Sequence, residues 1–193
     1  MQQTELSVVN ALLEVIEDTA LQTVDRNHPD VVFALNTWEE QSIAIQSQGW
    51  WYNTEQYQLV PDARSGEVFL PGNVLSIDLK GLDYVKRGRR LYNLKDHTYV
   101  FSTDTPAEDL LVDCIMEWSM EELPPSVFRL VLMNAKIIMV MNRQQDQVKL
   151  QILSMERDQA LVTVQKENLA YLDTSVLETT RFQVFQSTQP RRY

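Results

Sequence analysis

Residues 123–172 read LPPSVFRLVLMNAKIIMVMNRQQDQVKLQILSMERDQALVTVQKENLAYL, and this stretch decides the fold. Its first half predicts a helix that opens at Pro124 and Pro125, because proline at the first helical position gives up an N–H that has no partner there anyway. A helix that is apolar nearly all round must be covered nearly all round, so we predict a buried helix whose cover could come in part from another subunit. The polar residues between positions 127 and 141 are Arg129, Asn134 and Lys136.

A second long helix is predicted for residues 147–172, after a polar turn at residues 142–146 in which Asp146 can cap it. No proline or glycine interrupts it, and at about 1.5 Å per residue it would be roughly 40 Å long. One face is apolar and the other is typical of a solvated or inter-subunit surface. The apolar face has Leu150, Leu153, Ala160, Leu161, Val164 and Tyr171. The charged residues of the other face are Lys149, Glu156, Asp158, Lys166 and Glu167.

The composition limits the possible functions. The chain has 193 residues, of which 44% are hydrophobic and 23% charged, as expected for one globular domain or two small ones. A single cysteine, Cys114, excludes an intramolecular disulfide and any multi-cysteine metal site. The two histidines, His28 and His97, are far apart in sequence, which disfavours histidine-based zinc chemistry. We predict that the protein uses no cofactor.

Net charge and hydropathy argue against two further classes of protein. A formal charge of -10 disfavours a regulator that binds nucleic acid tightly, because such affinity comes mostly from lysine and arginine neutralising phosphates. A surface that DNA slides past stays compatible with this charge. The N-terminus lacks the basic and apolar regions of a secretion signal, and the apolar run at 127–141 is shorter than the about 20 residues that span a bilayer. We therefore predict no membrane anchor.

The N-terminal part predicts two more helices. Leu6, Leu13 and neighbouring apolar residues share a face after Thr4, a plausible N-cap. A second helix starts at Pro29, and Gly49 is predicted to be the first residue after its C-cap. We predict an α+β fold in which residues 1–49 and 123–172 form a discontinuous four-helix bundle.

Between the helical segments the hydrophobic period changes from 3.6 to 2, which predicts an inserted antiparallel β-domain at residues 50–119. One hairpin is expected to join residues 67–70 to 74–78 through Pro71-Gly72-Asn73, and another to turn at Gly88. The last strand alternates from Leu110 to Trp118. Trp50 and Trp51 stand at the corner before this domain, where large aromatic residues belong to a core more often than to a ligand site.

Residues 173–193 are predicted to form an extended tail. The alternation around Phe182, Val184 and Phe185 would let it pair as an added strand on its own sheet or on that of a neighbouring subunit. The alternative is a frayed terminus.

Four of the 17 basic residues lie within five positions at the second hairpin: Lys86, Arg87, Arg89 and Arg90. In so acidic a chain they are candidates for docking an acidic partner or a neighbouring subunit. Charged hairpin tips also keep a sheet soluble and prevent pairing edge to edge, which is an equally good explanation.

An acidic stretch at residues 104–122 suggests an alternative function. Two carboxylates at the right separation could hydrolyse a glycosidic bond, which would make the protein a carboxylate-based glycan hydrolase. A charged solvent face of a sheet is the commoner explanation. Neither a nucleophile elbow nor a glycine-rich phosphate loop is present. The acids are Asp104, Glu108, Asp109, Asp113, Glu117, Glu121 and Glu122.

Several junctions, taken in order, resemble the tail tubular protein A family, the head–tail adaptors or gatekeepers of short-tailed bacteriophages. The resemblance covers residues 4–172 and rests on the order and spacing of the motifs. They are ELSVVNALL at 5–13, QSQGWWYNTE at 46–55, LVPD at 59–62, FLP at 69–71, VLSID at 74–78, VKRGRRLYN at 85–93 and LPPSVF at 123–128.

The resemblance implies a structural virion protein rather than an enzyme. It would form a homo-oligomeric, dodecameric ring between the portal and the tail nozzle, tail tubular protein B, with tail fibres attached nearby. It would be made in the host cytoplasm and reside in the virion tail. Such a ring completes the DNA channel and transmits opening on infection, and we hypothesise that Asp113 and Glu117 face that channel.

Overall fold

The computed structural model describes residues 3–78, 83–101 and 110–187, and its side chains up to Leu172. Helices stand at both ends of the chain with antiparallel strands between them, so the predicted α+β class is confirmed. The helices are α1 (Glu5–Val15), α2 (Pro29–Gln46), α3 (Pro125–Arg143) and α4 (Gln147–Ser187). The strands are β1 (Thr54–Gln58), β2 (Val74–Asp78), β3 (Tyr84–Arg87), β4 (Arg90–Asn93) and β5 (Leu111–Met116).

Helix α3 is the central helix, because α1, α2 and α4 all pack against it. Val127, Val131, Ala135 and Met139 are completely buried. The prediction of a helix covered on several sides is therefore confirmed. By length and composition alone α3 could also cross a membrane, so the expectation that this run is too short was wrong. Its packing against three helices accounts for the same apolar composition.

The N-terminal ends of the helices follow the predicted capping. Thr4 caps α1 through a capping box, in which its hydroxyl accepts from the N–H of Ser7 at 3.3 Å. Asp146 caps α4, since its carboxylate accepts from the N–H groups of Val148 and Lys149 at 2.9 and 3.0 Å. Pro29 begins α2, which ends at Gln46, so Gly49 lies beyond the helix end rather than at the first position after its cap.

Strand β5 is the middle of a three-stranded antiparallel sheet, with β1 on one side and β2 on the other. Val112, Cys114 and Met116 point to one face and are buried, as the alternation predicted. They form a second hydrophobic core with residues from the loops and from β4. The hairpin of β3 and β4 turns at Gly88 as predicted.

The hairpin predicted at Pro71-Gly72-Asn73 was wrong. Strand β2 pairs with β5 instead, and the preceding residues make only isolated bridges to Pro61, Arg90 and Val100. Pairing with β5 places Ile77 opposite Cys114, on the face that the second core covers. The first strand also begins later than expected, because residues 51–53 form a turn and β1 starts at Thr54.

The extended tail was also wrong for residues 173–187, because α4 continues as a helix to Ser187. No proline or glycine occurs between residues 147 and 187, so nothing in the local sequence stops helix propagation. The structure does not describe the side chains of Phe182, Val184 and Phe185. Residues 188–193 lie outside the described part altogether. Their role at a subunit boundary stays a prediction.

Candidate functional site

Two buried amides join the helices to the sheet. Gln46, the last residue of α2, donates to the hydroxyl of Ser42 at 2.9 Å and to the carbonyl of Trp118 at 3.1 Å. Its side-chain oxygen accepts from the N–H of Trp118 at 2.8 Å. The Gln46 side chain thus uses both of its N–H donors and one of the two lone pairs of its oxygen inside the protein. The place where the chain leaves the helices is thus fixed to the place where it returns.

Asn53 forms the second half of this helix–sheet joint, which we define as residues 46–53 and 116–118. Its amide donates to the carbonyls of Gln46 and Met116, both at 2.9 Å, and accepts from the N–H of Trp50 at 2.8 Å. Trp50 is buried and donates its indole N–H to the carbonyl of Ile45 at 2.8 Å, so it belongs to the core as expected. The joint is therefore built from buried, paired polar groups.

Gly49 lets the chain turn within the joint. Its φ of 73° is in the left-handed region, and a Cβ there would lie 2.9 Å from Cδ1 of Ile115. Next to it, the N–H of Trp51 donates to the side chain of Asn168 at 3.0 Å. This last bond ties the joint to α4.

The predicted basic hairpin tip is largely engaged in contacts within the chain. Lys86 donates to the carbonyls of Val74 and of Leu75, the latter at 3.1 Å. The Arg87 guanidinium lies 3.7 Å from the centre of the Tyr92 ring. Arg87 and Arg89 remain exposed, whereas Lys86 is half-buried. These cations lie together as predicted, but they differ in what is left for a partner.

Arg90 is the other half-buried cation of this hairpin. It forms an ion pair with Glu67 at 2.7 Å and lies 4.2 Å from the centre of the Tyr99 ring. Because its guanidinium contacts both Glu67 and Tyr99, Arg90 holds the hairpin against the loops and is less accessible to a partner. Arg87 and Arg89 are the members of the set best placed for docking.

The two predicted channel acids lie in different surroundings. Asp113 is on the outer face of the sheet, opposite Gln56 of β1 and Asp78 of β2, and accepts from the Gln56 amide at 3.2 Å. Glu117 follows β5 and lines a groove of about 680 Å³ beside α2. The structure therefore does not bring these two carboxylates together in one groove.

The acidic stretch is only partly described, since Asp104, Glu108 and Asp109 lie outside the described residues. In the described part, the groove beside α2 is lined by four carboxylates, Glu5, Glu39, Glu117 and Glu121. Nothing there places one acid in an apolar pocket and its mate in a polar one, which is how paired carboxylates obtain separate acid and base roles. The hydrolase alternative stays a prediction.

The single cysteine, Cys114, lies on the inner face of the sheet and is unreactive. Burial raises the pKa of the Cys114 thiol to about 11, and the negative charges of Asp113 and Glu55 act in the same direction. Beside it, the hydroxyl of Tyr57 donates to Glu55 at 2.8 Å, which raises the pKa of that tyrosine. A thiol kept protonated in this way is neither a nucleophile nor a metal ligand at neutral pH.

One cluster of possible metal ligands occurs among the described residues. Ligand atoms of Asp18, His28 and Asp30 lie within 4.8 Å of one another. However, Asp30 already forms an ion pair with Arg143, whose positive charge opposes a cation at this place. The arrangement works as an electrostatic contact between the start of α2 and the end of α3.

Sequence reasoning missed a groove between α1 and α3. The groove has a volume of about 1040 Å³ and combines an apolar floor with charged walls. We call it the α1–α3 groove. Its lining includes Ala11, Glu14, Asp18, Phe128, Arg129, Leu132, Met133 and Lys136.

Sequence reasoning also missed an apolar ridge on the face of α4 that was predicted to be polar. Steps of four and three residues connect its first three positions, and steps of seven lead to the last two, with Gln159 and Lys166 in between; this heptad-like spacing was the signal that could have revealed it. The side chains are between 47% and 69% exposed. We call them the α4 ridge: Val148, Ile152, Met155, Val162 and Leu169.

A family model described as Tail tubular protein matches residues 6–173, which include all four helices' packed parts and the whole strand region. The chain belongs to the tail tubular protein family. A search of curated protein sequences gives no match. This tail tubular protein is therefore a structural component of the tail of a short-tailed bacteriophage, and a structural family agrees with a non-enzymatic role. The resemblance drawn from the motifs is confirmed at the level of the family.

Proposed function

We propose that this tail tubular protein is the head–tail adaptor, a ring that joins the portal to the tail nozzle. The ring would be a homo-oligomer, a dodecamer on the family resemblance, made in the host cytoplasm and able to support tail-fibre attachment. The observation that carries this proposal is the family match across residues 6–173. Within the subunit, we propose that the four helices act as one bundle around α3.

The charge of the chain supports a role beside passing DNA. A formal charge of -10 disfavours sequence-independent binding, which depends on cations that neutralise phosphates. A DNA channel benefits from walls to which DNA does not adhere. Asp113 and Glu117 are the acids that we propose for such a wall.

The exposed surfaces support contacts with partners. Arg87 and Arg89 project from the β3–β4 hairpin in an otherwise acidic protein, so they suit an acidic patch on the portal or the nozzle. Phe182, Val184 and Phe185 at the end of α4 are proposed to contact a neighbouring subunit. No membrane is needed for any of these contacts.

The proposal is tested by the native mass of the purified protein, alone and after addition of purified portal protein. Light scattering should give a species many times heavier than the 22.4 kDa subunit, and negative-stain images should show rings with a central hole. Nozzle protein should then bind to the portal-bound ring. The variant Arg87→Glu with Arg89→Glu should form rings but lose binding to one of the two partners.

A protein that stays monomeric at high concentration and does not bind the portal would contradict the proposal. In that case the same preparation should be tested on host-envelope glycans, because release of sugar fragments would favour the hydrolase alternative. Tight, salt-sensitive binding to DNA would instead favour a nucleic-acid-binding regulator.

A further inference from the structure

We propose that the α4 ridge of one subunit binds in the α1–α3 groove of a second copy of this chain. The inference rests on the proposed ring and deepens it, since it names the two surfaces that join neighbouring subunits.

The α4 ridge is an apolar face without cover in the part of the chain that the structure describes. Leu153, Ala160 and Val164 are the buried residues of α4, which packs on α3. At about 100° per residue the ridge lies on the opposite side of the helix from these buried positions. Val148, Ile152 and Met155 are consecutive along this face, and Val162 and Leu169 follow with Gln159 and Lys166 between them. Such a group of exposed apolar side chains on a globular protein is typical of an interaction surface.

The α1–α3 groove has the shape that such a helix face requires. Helices α1 and α3 start side by side, where the amide of Gln3 donates to the carbonyl of Leu123 at 3.0 Å. Ala11, Phe128 and Leu132 then form an apolar floor along both helices. Amphipathic helices bind in grooves of this kind through anchors that recur every three or four residues.

The dimensions and charges of the two surfaces agree. The 11 residues of α1 make a groove wall about 17 Å long, so three consecutive ridge side chains fit at once. On the α1 side the groove is lined by Glu14 and by Asp18, which follows the helix, and the α3 wall carries Arg129 and Lys136.

Charges of both signs also accompany the ridge, since Glu156 lies beside it and Lys166 lies between Val162 and Leu169. A helix of mixed charge therefore finds opposite charges on both walls. A uniformly anionic partner such as nucleic acid would meet the repulsive α1 wall.

The ridge cannot bind in the groove of its own chain, because it points away from α3, one of whose sides forms that groove. A ridge and a groove at different places on one chain join copies head to tail. This heterologous contact closes into a ring when the rotation between neighbours divides a full turn. The occupant of the α1–α3 groove is therefore the α4 ridge of a second copy of the chain.

The double variant Ile152→Glu with Met155→Glu tests the ridge. Both side chains are exposed in the subunit, so the fold should persist, as judged by circular dichroism. The ring population should be lost, with the mass falling to that of the 22.4 kDa subunit. The matched control is Val60→Glu with Val100→Glu, which adds the same two charges at exposed valines outside α4 and should assemble normally. Normal ring formation by the folded double variant would overturn the proposal.

Disulfide cross-linking tests the pairing directly. Glu14→Cys and Met155→Cys are made in separate preparations and then mixed with portal present, under mild oxidation. Linked dimers should form in the mixture and in neither preparation alone, since Cys114 is buried in both. Dimers of Met155→Cys with itself would show ridge-to-ridge pairing, and absence of dimers in the mixture would show no docking. Either result would overturn the inference.

The two tests separate failure of the inference from failure of the proposed function. Rings that bind portal but persist in the double ridge variant would leave the adaptor proposal standing and exclude this interface. Ridge-to-groove cross-links in a protein that never binds portal or nozzle would support the interface and exclude the adaptor role.

Discussion

At the scale of single residues, Gln46 has more influence than its place at the end of a helix would suggest. Its amide is completely buried and joins α2 to the main chain of Trp118, 72 positions later. A buried amide that loses its partners costs much more than an exposed one, because the groups left behind have no water to replace them. Gln48, two positions further on, is exposed and offers a comparison of the same residue type.

We predict that Gln46→Ala lowers the free energy of unfolding by about 1–3 kcal/mol, since it removes the partner of the part-buried main-chain N–H and C=O groups of Trp118. Gln48→Ala should change it by less than about 0.5 kcal/mol. Urea unfolding followed by circular dichroism measures both values. Equal effects of the two variants would show that the buried amide does not stabilise the joint.

The buried thiol gives a second residue-scale prediction. Because burial raises the pKa of Cys114 to about 11, very little thiolate exists at pH 8 in the folded protein. A thiol reagent should therefore label the protein slowly in buffer and rapidly in denaturing urea. Fast labelling of the folded protein would mean that the sheet opens readily. Cys114→Ser is the blank for the assay.

At the scale of elements, the turn between α2 and β1 depends on Gly49. The comparison is Gly88, which also has a positive φ, of 63°, but among the described residues no atom lies within 4 Å of the place that a Cβ would take there. Any L-residue at either glycine meets the same unfavourable backbone conformation. The side chain of Ile115 adds a steric conflict at Gly49 alone.

We predict that Gly49→Ala destabilises the protein by about 1–2 kcal/mol more than Gly88→Ala does, because of that overpacking. Ile115→Val removes the methyl group in the way, so it should recover part of the loss in a double-mutant cycle. Thermal unfolding of the four variants provides the measurement. The idea fails if the two alanine variants are equally stable.

Much of the helical part could be predicted from the sequence, because its signals are local. Pro125 opens α3, Asp146 caps α4 and Thr4 caps α1, each within one turn of the residues that it affects. The strand pairing could not be predicted in the same way. The alternating pattern of strand β2 is compatible with any neighbouring strand. Its actual partner, β5, lies more than 30 residues away in sequence.

The candidate surfaces were predicted less well, for a related physical reason. A cluster of four basic residues is visible in the sequence, but contacts such as that of Arg90 with Glu67 depend on loops brought together by folding. On α4, the charged residues 149, 156, 158 and 166 predicted a polar face, so the apolar ridge among them was not predicted. Two different faces of one helix each had an apolar repeat, and only one could be assigned to the core from the pattern.

At the scale of the whole molecule, the negative charge makes a prediction about DNA transport. In phage particles, Asp113→Lys or Glu117→Lys should slow DNA ejection at low ionic strength, because an added lysine in a channel wall attracts phosphates. The control is Asp83→Lys, an exposed acid with the same charge change. Ejection kinetics and the amount of retained DNA are the readouts. Unchanged kinetics in both variants would show that these acids do not face the channel.

The helix–sheet joint has a consequence for how this architecture can change over evolutionary time. The chain leaves the helices at Gln46 and returns at Trp118, and one side chain spans the gap between them. Segments between such closely spaced anchor points can lengthen, shorten or be exchanged while the helices keep their path. The strand region can therefore vary in length and sequence without any change to the path of the helical scaffold.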